Sequence, residues 1–347
     1  MHNRSIIMRT HQDNGKLSTN NGVILIALLW VLTALSIIAL SFSRESFVEV
    51  AAARNTQSLE KAYFIARAGI VATVYELLQR KYNTIVQQAE LPGEPDPLDT
   101  GTVTGQFGGG FYRVDIRDES GKININFISE EYLRALVEAI GIRKPDSDII
   151  TDSILDWRDS DSILRPSGAE DEYYQTLPSP YRARNGRFNT IEELLLIRGI
   201  TPDYYYGHPE RTSDGSIVYM YGLSRYLSAY SPSRQINANY AALPVLLAIP
   251  DMIPQTAEMI YERCRTKPFK NLQDLIREIP QPLPPQALSY LTVSETGVYT
   301  LTASAHTENS KAKRVIRTVI NLIPGQGTLY QTLYWNENIP DYESTAP

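Results

Sequence analysis

A run of acidic residues, DWRDSDSILRPSGAEDEYY from Asp156 to Tyr174, contains the residue types best suited to chemistry. Its six carboxylates within 17 residues are those of Asp156, Asp159, Asp161, Glu170, Asp171 and Glu172. Hard cations such as Ca²⁺ bind about six to eight oxygen atoms, mostly from carboxylates and carbonyls in flexible loops. The run therefore suits a calcium site. The other interpretation is a solvated acidic loop whose carboxylates pair with Arg158 and Arg165.

The spacing of these acids is not that of an EF-hand loop. With Asp159 as position 1, Asp161 and Glu170 fall at positions 3 and 12, as an EF-hand requires. Ile163 and Leu164 then occupy positions 5 and 6, where an oxygen ligand and a sharply turning glycine belong. The pattern excludes an EF-hand and leaves another calcium site or a solvated loop.

The sequence shows no enzyme motif. It has no phosphate-binding loop and no Gly-x-Ser-x-Gly elbow, and its four histidines (His2, His11, His208 and His306) are scattered. We therefore expect no catalytic residue. A calcium-dependent hydrolase built on the acidic run remains an alternative.

An apolar stretch near the N-terminus predicts one membrane span. The 20 residues from Val23 to Phe42 carry no charge, about the length a helix needs to cross a bilayer. The preceding leader has three basic residues (Arg4, Arg9 and Lys16) against one acid, Asp13. By the positive-inside rule, the leader stays cytoplasmic and residues from Ser43 onward lie across the membrane.

The same stretch resembles the N-terminus of type IV pilins and type II secretion pseudopilins, which a prepilin peptidase cleaves after a glycine and then methylates. Gly22 directly precedes the apolar run, and no Gly or Pro follows from Ser43 until Gly69. The resemblance implies cleavage between Gly22 and Val23, with Val23 as the methylated first residue. A plain signal anchor or a cleaved signal peptide is the other interpretation.

Position five of the mature chain would be Ala27, where most pilin-like subunits have a glutamate that pairs with the N-terminus of a neighbour. A subunit with no neighbour above it is better served by an apolar residue, because an unpaired buried charge is costly. The absence of an acid at this position is similar to the minor pseudopilin K family. The strings DESGKININ, RPSGAED and PSPYRARNGRF also resemble that family. The resemblance implies calcium bound by Asp159, Asp161, Glu170 and Asp171, with Asp156 as a further candidate.

The elements that would position the acidic run follow from periodicity. An apolar stripe continues the membrane helix to Tyr82 through Leu59, Tyr63, Ala66, Ile70, Val74 and Leu77. A loop rich in proline and glycine, 91–110, comes next. Alternation predicts a β-hairpin that turns at Glu119-Ser120-Gly121, a short strand in GSIVYMYG, and two late strands on either side of ENSKAK.

Helices are predicted near 129–141, 146–157, 190–199, 240–249, 253–265 and 271–278. A weak repeat links GRFNTIEELLLIRGIT with KPFKNLQDLIREIP, and both resemble helix-hairpin-helix units. Such units bind DNA when uncovered hairpin amides reach a phosphate. The predicted hairpin, Pro250 to Ile253, instead carries a carboxylate, Asp251, and no cluster of basic residues accompanies it. These features disfavour DNA binding. A membrane-anchored helix-hairpin-helix protein for DNA binding or uptake is kept as the second alternative.

Composition agrees with a folded extracytoplasmic protein that does not bind nucleic acid. The net charge is −6, which becomes −8 without the leader, and an acidic surface disfavours phosphate backbones. The single cysteine, Cys264, cannot form an intramolecular disulfide.

The predicted fold is α+β: an N-terminal transmembrane spine helix packed on an antiparallel pilin-like sheet, with a large all-α insertion of helix-hairpin-helix or SAM-like type. The predicted divisions are a leader at 1–22, a transmembrane and spine helix at 23–82, the first part of the pilin-like domain at 83–127, the all-α inserted domain at 128–290, the second part of the pilin-like domain at 291–325, and a tail at 326–347 that is either disordered or a docking peptide.

The resemblance implies a minor pseudopilin at the tip of the type II secretion pseudopilus. Such a subunit initiates assembly and helps export folded proteins from the periplasm through the outer-membrane secretin. Its implied partners are minor pseudopilins I and J, the major pseudopilin and the prepilin peptidase. Its implied location is the inner membrane of a Gram-negative-type envelope, with a single pass and a periplasmic C-terminal domain.

Overall fold

The computed structural model describes residues 20–87, 101–211, 215–281, 283–308, 310, 312–322, 328–337 and 339. Most of the predicted leader, much of the proline- and glycine-rich loop, and part of the predicted tail lie outside these residues. The chain divides into two compact units, Met1–Gln57 and Ser58–Pro347.

The first unit contains the start of helix α1, which runs from Asn20 to Gln87. Every side chain from Val23 to Phe42 is exposed. This helix is long and apolar enough to cross a membrane. Because none of the described residues covers these apolar side chains, hydrocarbon is the environment that suits them.

In the second unit, the C-terminal part of α1 packs on a five-stranded sheet. Its strands are β1 (Thr102–Phe107), β2 (Gly110–Asp118), β9 (Val298–Thr307), β10 (Lys313–Asn321) and β11 (Gln331–Asn336), hydrogen-bonded in that order and all antiparallel. One face of the sheet forms an apolar core with Ile65, Ala66, Ile70, Val74 and Leu77 of α1. Four of these five belong to the predicted apolar stripe.

The residues between β2 and β9 form an insertion, because these two strands are neighbours in the sheet. The insertion has its own apolar core. Its helices are α2 (Glu130–Ala139), α3 (Asp146–Arg158), α4 (Asp171–Tyr174), α5 (Pro202–Tyr206), α6 (Leu243–Leu247), α7 (Pro254–Thr266), α8 (Leu272–Glu278) and α9 (Pro285–Ser289), with 3₁₀ turns at Glu119–Gly121, Ile191–Leu196 and Leu223–Arg225. The helix predicted at 190–199 is thus a shorter 3₁₀ turn.

The insertion is not purely helical, so the all-α prediction is too simple. Strand β3 (Ile123–Asn124) pairs in parallel with β6 (Leu227–Ser228), and β7 (Ile236–Asn237) pairs in parallel with β8 (Leu291–Thr292). A separate antiparallel pair joins β4 (Gly207–Arg211) to β5 (Ile217–Tyr221). Strand β5 is the strand predicted in GSIVYMYG. Pairs of two residues are too short to show the alternation that predicts a strand.

The predicted hairpin at Glu119–Gly121 is wrong. The hairpin forms earlier, between β1 and β2, where Gly108 and Gly109 have φ values of 58° and 78° that favour glycine. Glu119 is instead a buried side chain that pairs with Lys122 and accepts a hydrogen bond from Thr300 at 2.7 Å. These contacts anchor the 3₁₀ turn, after which the chain leaves the sheet and enters the insertion.

The predicted tail also differs, because residues 331–336 form β11 at the edge of the sheet. Trp335 lies opposite Thr318 of β10. The Tyr334 hydroxyl donates to Glu192 Oε1 at 2.7 Å, and Tyr63 donates to Glu337 Oε1 at 2.7 Å. These contacts tie the strand to both the insertion and α1, partners that the local sequence pattern cannot reveal.

A structural duplication underlies the weak sequence repeat. The Asn126 side chain accepts from the Phe188 N–H at 2.7 Å and donates to its carbonyl at 3.1 Å. Asn239 does the same to Phe269, at 2.8 and 3.0 Å. Asn126 follows β3 and Asn239 follows β7, so each half of the insertion has a parallel pair and an asparagine clamp. The sequence repeat therefore corresponds to two similar structural units within the insertion.

Candidate metal centre

The end of α3 and the start of α4 position the acidic run. Asp156 lies in the last turn of α3, Asp159 caps that helix by donating its N–H to the Leu155 carbonyl, and Glu170 is the N-cap residue of α4. The loop between the two helices carries Asp161. The C-terminal end of α3 and the N-terminal end of α4 therefore fix the two sides of the loop that carries the acidic run.

The structure brings Asp159, Asp161 and Glu170 together. One carboxylate oxygen from each lies within 4.8 Å of the others. This spacing lets three oxygen atoms contact one cation, and carboxylate oxygens are the ligands that Ca²⁺ prefers. These residues fit a calcium ion, whose further ligands would be backbone carbonyls or water.

Two of these carboxylates have buried oxygens without partners. Both oxygens of Glu170 and Oδ1 of Asp159 make no hydrogen bond to the described residues. Burial and the nearby Asp156, Asp159, Asp161 and Asp171 carboxylates raise the pKa of Glu170 to about 7. Burial and Asp161 also raise the pKa of Asp159. A cation would offset both the lost hydration and the mutual repulsion of these acids.

Asp156 holds the loop and is not a member of this three-carboxylate cluster. Its side chain is completely buried, and one oxygen accepts the Arg165 N–H at 3.3 Å. Burial raises the pKa of Asp156 to about 6. A Cβ at Gly168 would lie 1.9 Å from Asp156 Oδ2. Only glycine therefore lets the loop approach this carboxylate so closely.

Asp171, the fourth predicted ligand, lies outside the three-carboxylate cluster. Its Oδ1 accepts the Ala183 N–H at 2.7 Å. Its contact fixes the segment that follows α4. The sequence pattern placed an acid here but could not show where the carboxylate points.

The segment PSPYRARNGRF supports the site from the other side. Asn185 donates its side-chain amide to the Asp161 carbonyl at 3.1 Å, and Gly186 donates its N–H to the Trp157 carbonyl at 3.4 Å. The rings of Tyr174 and Tyr181 stack at 5.2 Å, and Trp157 packs against both. Sequence reasoning identified this segment only through its resemblance to other proteins and did not place it at the metal centre.

Two turns outside this site contain glycines with positive φ values, Gly141 at 94° and Gly199 at 85°. Each of these glycines is followed by an isoleucine, Ile142 or Ile200. Both line a cavity of about 730 Å³ together with the acids Asp146, Asp203 and Glu210. A phosphate here would face carboxylates, so this cavity does not suit the DNA backbone.

Known proteins match this chain in sequence and structure. A sequence model of the family described as "Type II secretion system (T2SS), protein K" matches residues 117–207, a range that includes the whole metal centre. Type II secretion system protein K of Pseudomonas aeruginosa is 26% identical over 281 residues, which cover 75% of this chain and 77% of that protein. The corresponding Pectobacterium carotovorum protein is 32% identical over 129 residues, 33% of this chain and 37% of that protein.

The resemblance to type II secretion system protein K is confirmed. A solved structure is also similar, with a TM-score of 0.60, 16% identity, and coverage of 83% of this chain and 100% of that one. Its title is "The Crystal Structure of the GspK-GspI-GspJ complex from enterotoxigenic Escherichia coli Type 2 Secretion System". At that identity the likeness shows that the fold is shared with a K-family structure. The helix, sheet and insertion seen here therefore form an architecture known in solved structures.

Proposed function

We propose that the chain is a minor pseudopilin of a type II secretion system and acts at the tip of the pseudopilus. The observation that carries this proposal is one continuous helix, α1, with two different surroundings. Its first part exposes an apolar surface from Val23 to Phe42, whereas Ile65 to Leu77 pack on an antiparallel sheet. A subunit of this design is anchored in the inner membrane by a single span and carries its folded domain in the periplasm.

The insertion supports a position at the tip. It follows β2 and returns to the sheet at β9, and it comprises most of the folded residues. A fibre built by stacking spine helices accommodates so large an addition most readily at its end. The apolar Ala27 agrees with this position, because a subunit without a neighbour above it has no N-terminus to pair with an acid.

The partners follow from the related complex. The similar solved structure is a complex of GspK with GspI and GspJ. We propose that this chain likewise assembles with minor pseudopilins I and J, joins the major pseudopilin, and is first cleaved after Gly22 by a prepilin peptidase. In this assembly it starts the pseudopilus and helps export folded proteins through the secretin.

The acidic cluster has a structural role in this proposal. Asp159, Asp161 and Glu170 would hold a calcium ion, which neutralises their charge and fixes the loop between α3 and α4. The chain acts mechanically and by templating assembly, with no catalytic residue and no nucleic-acid partner.

Co-assembly in cells tests the proposal. A strain that lacks its own K protein is given this chain together with I and J subunits from the same organism as this chain. We expect recovery of a complex with I and J and restored export of the strain's secreted proteins. Export that stays absent while the chain is stable and inserted in the membrane would contradict a role in secretion. Salt-sensitive DNA binding by the purified chain would instead favour the DNA-uptake alternative.

A further inference from the structure

Two arginine side chains converge on one aromatic ring in the first half of the insertion. The guanidinium carbon of Arg187 lies 4.6 Å from the centroid of the Phe127 ring, and that of Arg234 lies 5.3 Å from the same centroid. Both distances are within the roughly 6 Å over which a cation interacts with an aromatic ring. Both arginines are exposed, whereas Phe127 is half-buried. We call the surface formed by these three residues the arginine patch.

The asparagine clamp of this half positions one of the two arginines. Asn126 accepts from the Phe188 N–H and donates to its carbonyl, so two distant segments of the chain are fixed against each other. Phe127 and Arg187 are the chain neighbours of these two residues. The ring therefore meets the guanidinium on backbone that is already ordered.

The second clamp of the insertion shows that the fold does not require this arginine. In the clamp of Asn239, the positions of Phe127 and Arg187 are taken by Tyr240 and Pro268. The second clamp closes with hydrogen bonds of similar length although proline carries no charge. The cation at position 187 therefore has a use other than closing the clamp.

The positive charge of the patch is not neutralised within the described part of the chain. There, neither Arg187 nor Arg234 forms an ion pair or a side-chain hydrogen bond. Glu193, in the 3₁₀ turn that follows Arg187, already pairs with Arg184 at 3.4 Å and accepts from Trp157 Nε1 at 3.3 Å. Two cations at one ring repel each other, so a negative group close to both is stabilised there.

We propose that the arginine patch is an interaction surface for an acidic segment of another protein, whose Asp or Glu side chains pair with Arg187 and Arg234. A guanidinium that stacks on a ring keeps N–H donors along its edge, in a fork that matches the two oxygens of a carboxylate. Arginine and aromatic residues are also enriched among the side chains that dominate binding at protein interfaces.

The exposure of the patch decides the kind of partner. A single exposed ion pair contributes little free energy, so a small free anion would not stay bound. The partner must therefore carry several negative groups on one chain. Nucleic acid fits poorly, because the net charge of −6 would repel its phosphates over the rest of the surface. An acidic protein segment needs only local complementarity, and this surface does not depend on the assignment as a pseudopilin.

Binding of defined peptides to the full-length protein tests the patch. The purified chain, in detergent and with calcium present, is titrated into three fluorescent peptides of equal length that alternate glycine with glutamate, glutamine or phosphoserine. We expect the glutamate peptide to bind with an affinity that falls as salt is added, and the glutamine peptide not to bind. Equal binding of the glutamate and glutamine peptides, or no binding of either, would overturn the proposal. Binding of the phosphoserine peptide alone would overturn the assignment to carboxylates.

A double variant and a matched control locate the binding. The combination of Arg187→Gln and Arg234→Gln should weaken binding of the glutamate peptide by about tenfold, because two exposed ion pairs are lost. Arg265→Gln is the control, since Arg265 is also exposed and stacks by itself on the Tyr261 ring at 5.3 Å. It should bind the peptide as the natural protein does, and both variants should keep the unfolding midpoint of that protein. Undiminished binding by the double variant would contradict the site.

Discussion

At the scale of single residues, the chemistry of the proposed calcium site depends on Glu170. Its carboxylate is almost fully buried and both oxygens lack partners among the described atoms. Glu170→Gln keeps the size of the side chain but removes one negative oxygen. We expect calcium to raise the unfolding midpoint of the natural protein and to raise that of the variant far less. At a hundredfold excess of calcium over its dissociation constant, binding stabilises the natural protein by about 3 kcal/mol, and the variant should lose most of this stabilisation.

The matched control is Glu172→Gln, since Glu172 is an exposed acid in the same run. It should retain the full effect of calcium. Thermal unfolding with and without a chelator provides the measurement. If calcium stabilises Glu170→Gln as much as the natural protein, Glu170 is not a ligand.

The raised pKa values predict how the metal-free protein responds to pH. Glu170 and Asp156, with pKa values near 7 and 6, hold their protons more tightly when folded than their ordinary pKa near 4 allows when unfolded. The folded state therefore binds more protons, and stability falls as pH rises from about 4 to about 7. We expect the midpoint of the chelated protein to fall over this interval.

Calcium should remove the part of that fall that comes from Glu170, because it competes with the proton for the Glu170 oxygens. The test is a pH series of unfolding midpoints in chelator and in calcium. A chelated protein whose stability rises steadily through this interval would contradict the assigned pKa shifts.

At the scale of elements, the duplicated asparagine clamps hold the insertion together. Asn126→Ala would leave the Phe188 N–H and carbonyl without their side-chain partner, at a cost of about 1–3 kcal/mol. Gln255→Ala, at an exposed position on α7, should change stability by no more than about 0.5 kcal/mol. Denaturant unfolding in calcium measures both. Equal stabilities for the two variants would show that the clamp contributes nothing.

How far the sequence predicts these elements depends on the range of the contacts involved. The spine helix, β9, β10 and the long helices α2, α3 and α7 follow from local periodicity, and the structure contains them. The hairpin at Glu119 failed because the contact that decides its course, with Thr300, is distant in sequence. Strand β11 was missed for the same reason, since Glu192 lies far from Tyr334.

The same distinction applies to the metal centre. Residue types selected the acidic run, the family resemblance selected four ligands within it, and three of those four lie together in the structure. The position of Asp171 could not be predicted, because its carboxylate is directed by the Ala183 N–H. The roles of Gly168 and Asn185 likewise depend on how the loop folds back.

At the scale of the whole molecule, the proposed place at the tip makes Ala27 informative. Ala27→Glu would place an acid in the membrane span, and in a tip subunit no N-terminus lies above to pair with it. An unpaired acid in that environment costs about 3 kcal/mol. We expect export to fall in cells carrying this variant, while Ala27→Leu exports normally. Full export with Ala27→Glu would contradict the argument from position five.

The central claim is that the chain enters the pilin pathway, and the mass of its N-terminal peptide tests this most directly. The chain is isolated from membranes of cells that contain a prepilin peptidase, and from matched cells that lack it. The account predicts a peptide that begins at methylated Val23 in the first and the uncleaved leader in the second. An intact Met1 terminus in both, or cleavage after Phe42, would contradict the assignment as a pseudopilin.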